Sequence, residues 1–108
     1  MNRISVMQYG EYTGAWFDAD KAEVFYEETY WNGNNHISKA TGSQTEHEIL
    51  YLTRSNKWVL HSWSQWQGSQ PTYEIISTEE AVMWFAKNEY KNENMPEIIV
   101  KELENYEL

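Results

Sequence analysis

Hydrophobic residues fall into short alternating runs through most of the chain and into helical spacing near its carboxyl end. Alternation places successive side chains on opposite faces of a strand, whereas recurrence at i, i+3, i+4 and i+7 lines one face of a helix. Ile4 and Val6 mark a short strand from Arg3 to Tyr12, punctuated by Gly10 and followed by Gly14. Lys21 to Trp31 is β-branched and aromatic and reads as a strand, although Asp18 or Asp20 could cap a short helix over the same residues. Trp31 to Asn35, WNGNN, is turn chemistry, because Asn and Gly tolerate positive φ.

The clearest β signal is a hairpin in which Glu48 to Thr53 and Trp58 to Trp63 are joined by Arg54, Ser55, Asn56 and Lys57. Symmetric closure of that loop pairs Thr53 with Trp58, Leu52 with Val59, Leu50 with His61 and Glu48 with Trp63. Glu48, Leu50, Leu52, Val59, His61 and Trp63 then share one face, and His47, Ile49, Tyr51, Trp58 and Leu60 the other. Both faces are apolar, which predicts a central hairpin covered on both sides. A loop over Gln67 to Pro71 leads to a further strand, Thr72 to Ile76.

Ser77 followed by Glu80 is a capping box and starts a helix over about Thr78 to Tyr90, with Ala81, Trp84 and Phe85 on its apolar face. Asn92 to Asn94 breaks the pattern. Pro96 fits the first turn of a second helix that aligns Ile99, Leu103 and Tyr106. The expectation is one α+β domain over residues 1–108, an antiparallel sheet of about four to five strands followed by two carboxyl-terminal helices.

Composition narrows the classes. The 108 residues are 41% hydrophobic and 16% aromatic, which is too apolar for a disordered chain despite a mean hydropathy of −0.78. With no cysteine there is no disulfide or thiolate chemistry, and with no signal peptide or membrane-length apolar run the expected location is the cytoplasm.

Net charge is −9 and unevenly spread. Residues 1–30 carry six acids against Arg3 and Lys21, and residues 78–108 carry eight acids against three lysines, while the middle is balanced. Direct binding to nucleic acid or to an anionic membrane is disfavoured, because both need cations to neutralise phosphates. The two acidic ends, represented by Glu23, Glu27 and Glu28 and by Glu97, Glu102 and Glu104, suit a protein partner with a basic surface. The same acids argue against the two final helices being a DNA-reading helix-turn-helix.

The balanced block from Asn35 to Glu74 holds all three histidines and half of the tryptophans. His36, His47 and His61 with Glu46 or Glu48 suggest zinc or iron by residue type, but their spacing matches no short ligand motif and the hairpin parity sends His47 and His61 to opposite faces. No metal or cofactor is expected. His61 and Glu48 share a predicted face, so an imidazole positioned for acid-base work is conceivable, with Thr41, Ser43 or Ser62 as nucleophile; the commoner role of such a pair is a structural hydrogen bond. The segment Ala40 to Gln44, ATGSQ, lacks the lysine and following helix of a phosphate loop and reads as a hydroxyl-rich turn. Trp63, Gln65, Trp66 and Gln67 form an aromatic and amide ladder, with Trp63 and Gln65 projecting one way and Trp66 the other, suited to an interface or equally to core anchoring.

The block NHIS..ATGSQ..HE.LY.T....WVL..WSQWQGS..TYE.IS.EEA..W, within residues 16–86, resembles a group of small bacterial proteins of uncharacterised activity, some carried on plasmids or other mobile elements. That resemblance carries over no established activity, cofactor or catalytic residue to positions of this chain. By size and charge alone the chain is also similar to phage and plasmid inhibitors that occupy basic clefts, anti-CRISPR proteins among them. The leading expectation is therefore a non-enzymatic, acidic protein-interaction module that inhibits a nucleic-acid-processing protein. Its binding residues would be Trp63, Gln65, Trp66, Gln67, His61 and Glu48 with the two acidic groups. The alternative is a small-molecule-binding or catalytic domain using His61 and Glu48.

Overall fold

The computed structural model describes residues 1–108. Eight strands precede two helices: β1 (Arg3–Gln8), β2 (Glu11–Asp18), β3 (Glu23–Tyr26), β4 (Thr29–Trp31), β5 (His36–Ser38), β6 (Glu46–Leu52), β7 (Trp58–Ser64), β8 (Thr72–Ile76), α1 (Thr78–Lys87) and α2 (Glu97–Glu104). Six strands form one sheet in the order β2-β1-β8-β7-β6-β3, and β4 and β5 form a separate ribbon. The α+β class matches the expectation. The sheet is larger than expected and mixed, because β1 joins β8 in parallel at Met7 and Glu74.

The expected first strand is a hairpin. Tyr9 and Gly10 both take positive φ, 52° and 79°, and Gln8 pairs with Glu11, the geometry of a two-residue turn whose twist suits the flanking strands. Pairing then shifts between Ser5 and Met7, where Gly14 at φ 89° takes up the extra residues of β2 as a bulge. Lys21 closes a short 3-10 helix, Ala19–Lys21, that Asp18 caps by accepting the Asp20 N–H; the rest of the segment to Trp31 is extended as expected, but it breaks at Glu27 and Glu28 and supplies β3 to the main sheet and β4 to the ribbon. The Trp31 to Asn35 turn is present, with Asn32 Oδ1 accepting from the amides of Asn34 and Asn35.

The central hairpin exists, but its register differs by one residue. Leu52 pairs with Trp58, Leu50 with Leu60, Ile49 with His61, Glu48 with Ser62 and His47 with Trp63. The connection is a three-residue loop closed by the Thr53 N–H donating to the Lys57 carbonyl at 2.8 Å, with the Asn56 N–H donating to Thr53 and Asn56 at φ 64°. This is a type I turn followed by a left-handed residue. Thr53 is buried and its hydroxyl accepts the Lys57 N–H at 3.0 Å, which holds Thr53 inside the ladder opposite Lys57. The side chains of β7 are consequently inverted relative to the expected faces.

Leu50, Trp58, Phe25, Leu60 and Ile76 on one face of the sheet pack against Ala81, Val82, Trp84 and Phe85 of α1 and Ile99 of α2. On the other face Val59 packs with Val6 and Phe17, flanked by Tyr51, Tyr73 and Ile75. Coverage of both faces agrees with the central position expected of the hairpin. Phe17 lies four strands from Tyr51 in hydrogen-bonding order, about 19 Å across a flat sheet at about 4.8 Å per strand, yet their rings are 5.2 Å apart. The sheet therefore curls back on itself and closes a second core inside the curve.

α1 starts with the expected capping box: the Ser77 hydroxyl accepts the Glu80 N–H at 3.1 Å, and Glu80 Oε1 accepts the Ser77 N–H at 3.2 Å. It ends at Lys87, short of Tyr90, because Glu89 turns left-handed at φ 54°. In α2 Ile99 is buried as expected, whereas Tyr106 lies beyond the helix and is 52% exposed.

Candidate functional site

Where the chain leaves the main sheet after β3, Glu27 turns inward. Its Oε1 accepts from the Ser38 hydroxyl at 2.8 Å and from the backbone N–H of Glu48 at 2.7 Å, and its Oε2 meets His47 Nδ1 at 2.6 Å. The Glu27 side chain is only 11% exposed. One carboxylate thus ties the start of β6 to β5. Buried Asn88 performs a similar task from α1, accepting the Glu28 N–H at 2.9 Å and donating to the Trp84 carbonyl at 2.8 Å.

These ties hold the amino-terminal half of β6 as the wall of an open cleft of about 300 Å³, bordered by Thr41, Glu46, Glu48, Ser62, Ser69, Gln70 and Thr72, with His47 and Trp63 at its margin. Glu48, Ser62 and Thr72 stand in register across three adjacent strands. Glu48 also lines a second recess of about 230 Å³, formed with Leu60, Ile76, Met83 and Trp84 and with Glu80 and Lys87. Glu48 belongs to both. Its Oε1 accepts from Trp84 Nε1 at 3.1 Å. Burial pushes the Glu48 carboxyl above its ordinary value of 4.5, and the nearby Glu27 carboxylate pushes the same way, against Lys87 and the Trp84 hydrogen bond.

The opposite face of the hairpin carries a ladder of rings. His61 stacks on Tyr73 at 4.1 Å and on Trp63 at 4.8 Å, and Trp63 continues to His47 at 5.5 Å. His61 Nδ1 lies 3.0 Å from the Thr72 carbonyl. The ordering is structural: each imidazole has one nitrogen engaged, and Nε2 of His47 is buried without a partner.

Several expected site residues are redistributed. His61 and Glu48 lie on opposite faces, because His61 pairs with Ile49 rather than with Leu50, so the pair proposed for acid-base work does not exist. His47 and His61 share a face, which removes the parity argument against a metal; no group of three or more His, Asp and Glu side chains is placed to hold an ion. Trp63 is the last ring of the strand ladder, while Gln65, Trp66 and Gln67 follow β7 in a loop and do not alternate as strand residues. Trp66 is 69% exposed and is no core anchor. Glu27 is committed internally and leaves the acidic surface group, whereas Glu23 and Glu28 stay exposed. Glu97 pairs with Lys101 at 3.3 Å, Glu102 is half-buried and Glu104 is exposed.

The reading of the sequence missed the Glu27–His47 contact, the Trp84–Glu48 bond and the Glu48–Ser62–Thr72 row. Each joins distant segments, and only the adjacency of His47 and Glu48 hinted at them. ATGSQ is the hydroxyl-rich turn expected, with Ser38, Thr41 and Ser43 capping the amides that lead into β6. No helix is long and apolar enough to cross a membrane. Comparison with protein-family models, curated proteins and solved structures finds no match to this chain.

Proposed function

We propose that this chain is an acidic interaction module that occupies the basic, nucleic-acid-binding surface of another protein and so inhibits it, as inhibitors encoded by phages and mobile elements do. The observation that carries this reading is the state of its acids. Glu11, Glu23, Glu28, Glu79, Glu93, Glu104 and Glu107 are exposed, and none of them takes part in the four ion pairs of the molecule. A net charge of −9 is thus displayed rather than neutralised, and such a field steers a basic partner toward encounter. Exposed Trp66, Trp31 and Tyr30 supply rings for contact at close range.

Affinity capture from a source lysate, washed at low and at high salt and eluted with duplex DNA, tests the reading. A nucleic-acid-binding protein that is retained at low salt and displaced by DNA supports it. A partner whose capture ignores both salt and DNA overturns it.

A further inference from the structure

We propose that the cleft beside Glu48 is a socket for a single arginine side chain of the partner protein. This deepens the interaction reading and rests on it for the identity of the partner.

The socket is built from unspent hydrogen-bonding capacity. Trp84 engages only Oε1 of Glu48, leaving Oε2 for a ligand. Glu46 lies two residues along β6 on the same face, its Cα about 7 Å from that of Glu48 at strand rise, and the backbone groups of Glu46, not its side chain, are the ones engaged by Thr41 and Ser43. The Ser62 and Thr72 hydroxyls complete the row and make no bond within the protein; only the Thr72 carbonyl is used, by His61. Neither carboxylate is ion-paired, and the nearest lysine, Lys87, donates its ammonium to the Ala40 carbonyl at 3.1 Å.

A guanidinium is the cation that fits this arrangement. It carries five N–H donors in a plane and no acceptor, so it can span two carboxylates and a row of hydroxyl oxygens; a compact ammonium with three donors cannot cover the same set. At about 300 Å³ the cleft lies at the lower bound of small-molecule sites, roughly 300–1,000 Å³, and holds one long side chain. The neighbouring recess, lined by Leu60, Ile76, Met83 and Trp84 together with Glu80 and Lys87, gives the methylene stem an apolar surface on its four hydrophobic residues while the charged head lies over Glu48. Burial raises the Glu48 pKa in spite of the nearby Lys87 charge, so this partly desolvated carboxylate is not fully compensated within the chain.

The test uses the tripeptide Gly-Arg-Gly, its neutral isostere Gly-citrulline-Gly and Gly-Lys-Gly as probes, titrated into the whole chain with backbone amide NMR as readout. Gly-Arg-Gly should shift the amides of Ser62, Trp63 and Thr72, Gly-Lys-Gly should bind more weakly, and the citrulline peptide should leave them in place. Glu48→Gln keeps the acceptor for Trp84 and should weaken Gly-Arg-Gly by about tenfold, the equivalent of one charge-assisted hydrogen bond. Ser62→Leu, which fills the cleft without touching a charge, should do the same. Shifts spread evenly around exposed acids such as Glu28, Glu93 and Glu104, or shifts that survive both substitutions, overturn the socket. With a captured partner the two readings separate. Charge reversal of exposed acids weakening capture while Glu48→Gln does not sinks the socket alone, and a filled socket in a chain that captures no basic protein sinks the interaction reading alone.

Discussion

Glu27, the residue that follows β3 as the chain leaves the sheet, meets His47 of β6 at 2.6 Å, and the same carboxylate also accepts the Glu48 amide and the Ser38 hydroxyl. A single side chain therefore anchors the wall of the cleft to the ribbon beside it. The cost of losing it should exceed that of an ordinary surface acid, because three partners would lose their acceptor in a largely buried place.

Glu27→Ala should destabilise the protein by about 3 kcal/mol, the scale for breaking a buried charged contact. Glu28→Ala, one residue on and exposed, should change stability by less than about 0.5 kcal/mol. Urea unfolding of both variants decides the matter, and equal midpoints would remove Glu27 from its anchoring role.

Glu48 predicts an unusual pH dependence. Its folded pKa lies above the unfolded value of 4.5 because of burial, so between those two values the folded state binds more protons than the unfolded one. The contribution of this group to stability is full below 4.5 and is lost as pH rises through the folded pKa. Glu48→Gln should therefore gain on the wild type as pH rises from 4.5 toward neutrality. Unfolding free energies measured at several pH values should show the widening gap; a constant gap would contradict the burial of this carboxyl.

Ser77→Ala removes the acceptor for the Glu80 N–H and should cost about 0.5–2 kcal/mol. The slope of the denaturant transition should stay the same while its midpoint falls. A midpoint that does not move would mean that the start of α1 is held by packing of Ala81 and Val82 alone.

Charge reversal of Glu23 with Glu28, or of Glu104 with Glu107, should slow association with a basic partner and should matter less as salt rises, since exposed charges are screened over about 8–10 Å. Trp66→Ala should instead speed dissociation, as loss of a ring contact does. Stopped-flow or surface-capture kinetics at two ionic strengths separate the effects; association rates indifferent to both reversals would leave the displayed acids without a role in encounter.

What was legible in the sequence was local. The Ser77–Glu80 box, the apolar face of α1, the Asn-rich turn and the existence of the β6–β7 hairpin depend on residues within a few positions of one another, and all are present. The register was not legible, because it turned on whether Thr53 closes the loop or precedes it. One residue of difference inverted β7 and moved His61 away from Glu48. β2 was hidden because Gly14 and the bulge interrupt its alternation, and the parallel pairing of β1 with β8 has no local signature. The cleft inherits these limits: Glu48 was singled out, but Ser62 and Thr72 join it only through correct pairing, and Glu27 was counted as surface charge although its partners lie at Ser38, His47 and Glu48.

The seam between β1 and β8 sets an order of events for a chain emerging from the ribosome. The turn at Gly10 is fastened to Glu74, 64 residues later, by a 3.2 Å hydrogen bond, beside the parallel contact of Met7 with Glu74. The β1–β2 hairpin can form early, but its landing strand is made only 64 residues after the turn, so Val6 and Phe17 wait in water until then. Bringing such distant segments together carries a loop-closure cost before any contact repays it. Nascent chains halted before Ile76 should hold this hairpin undocked, with its greasy side available to chaperones.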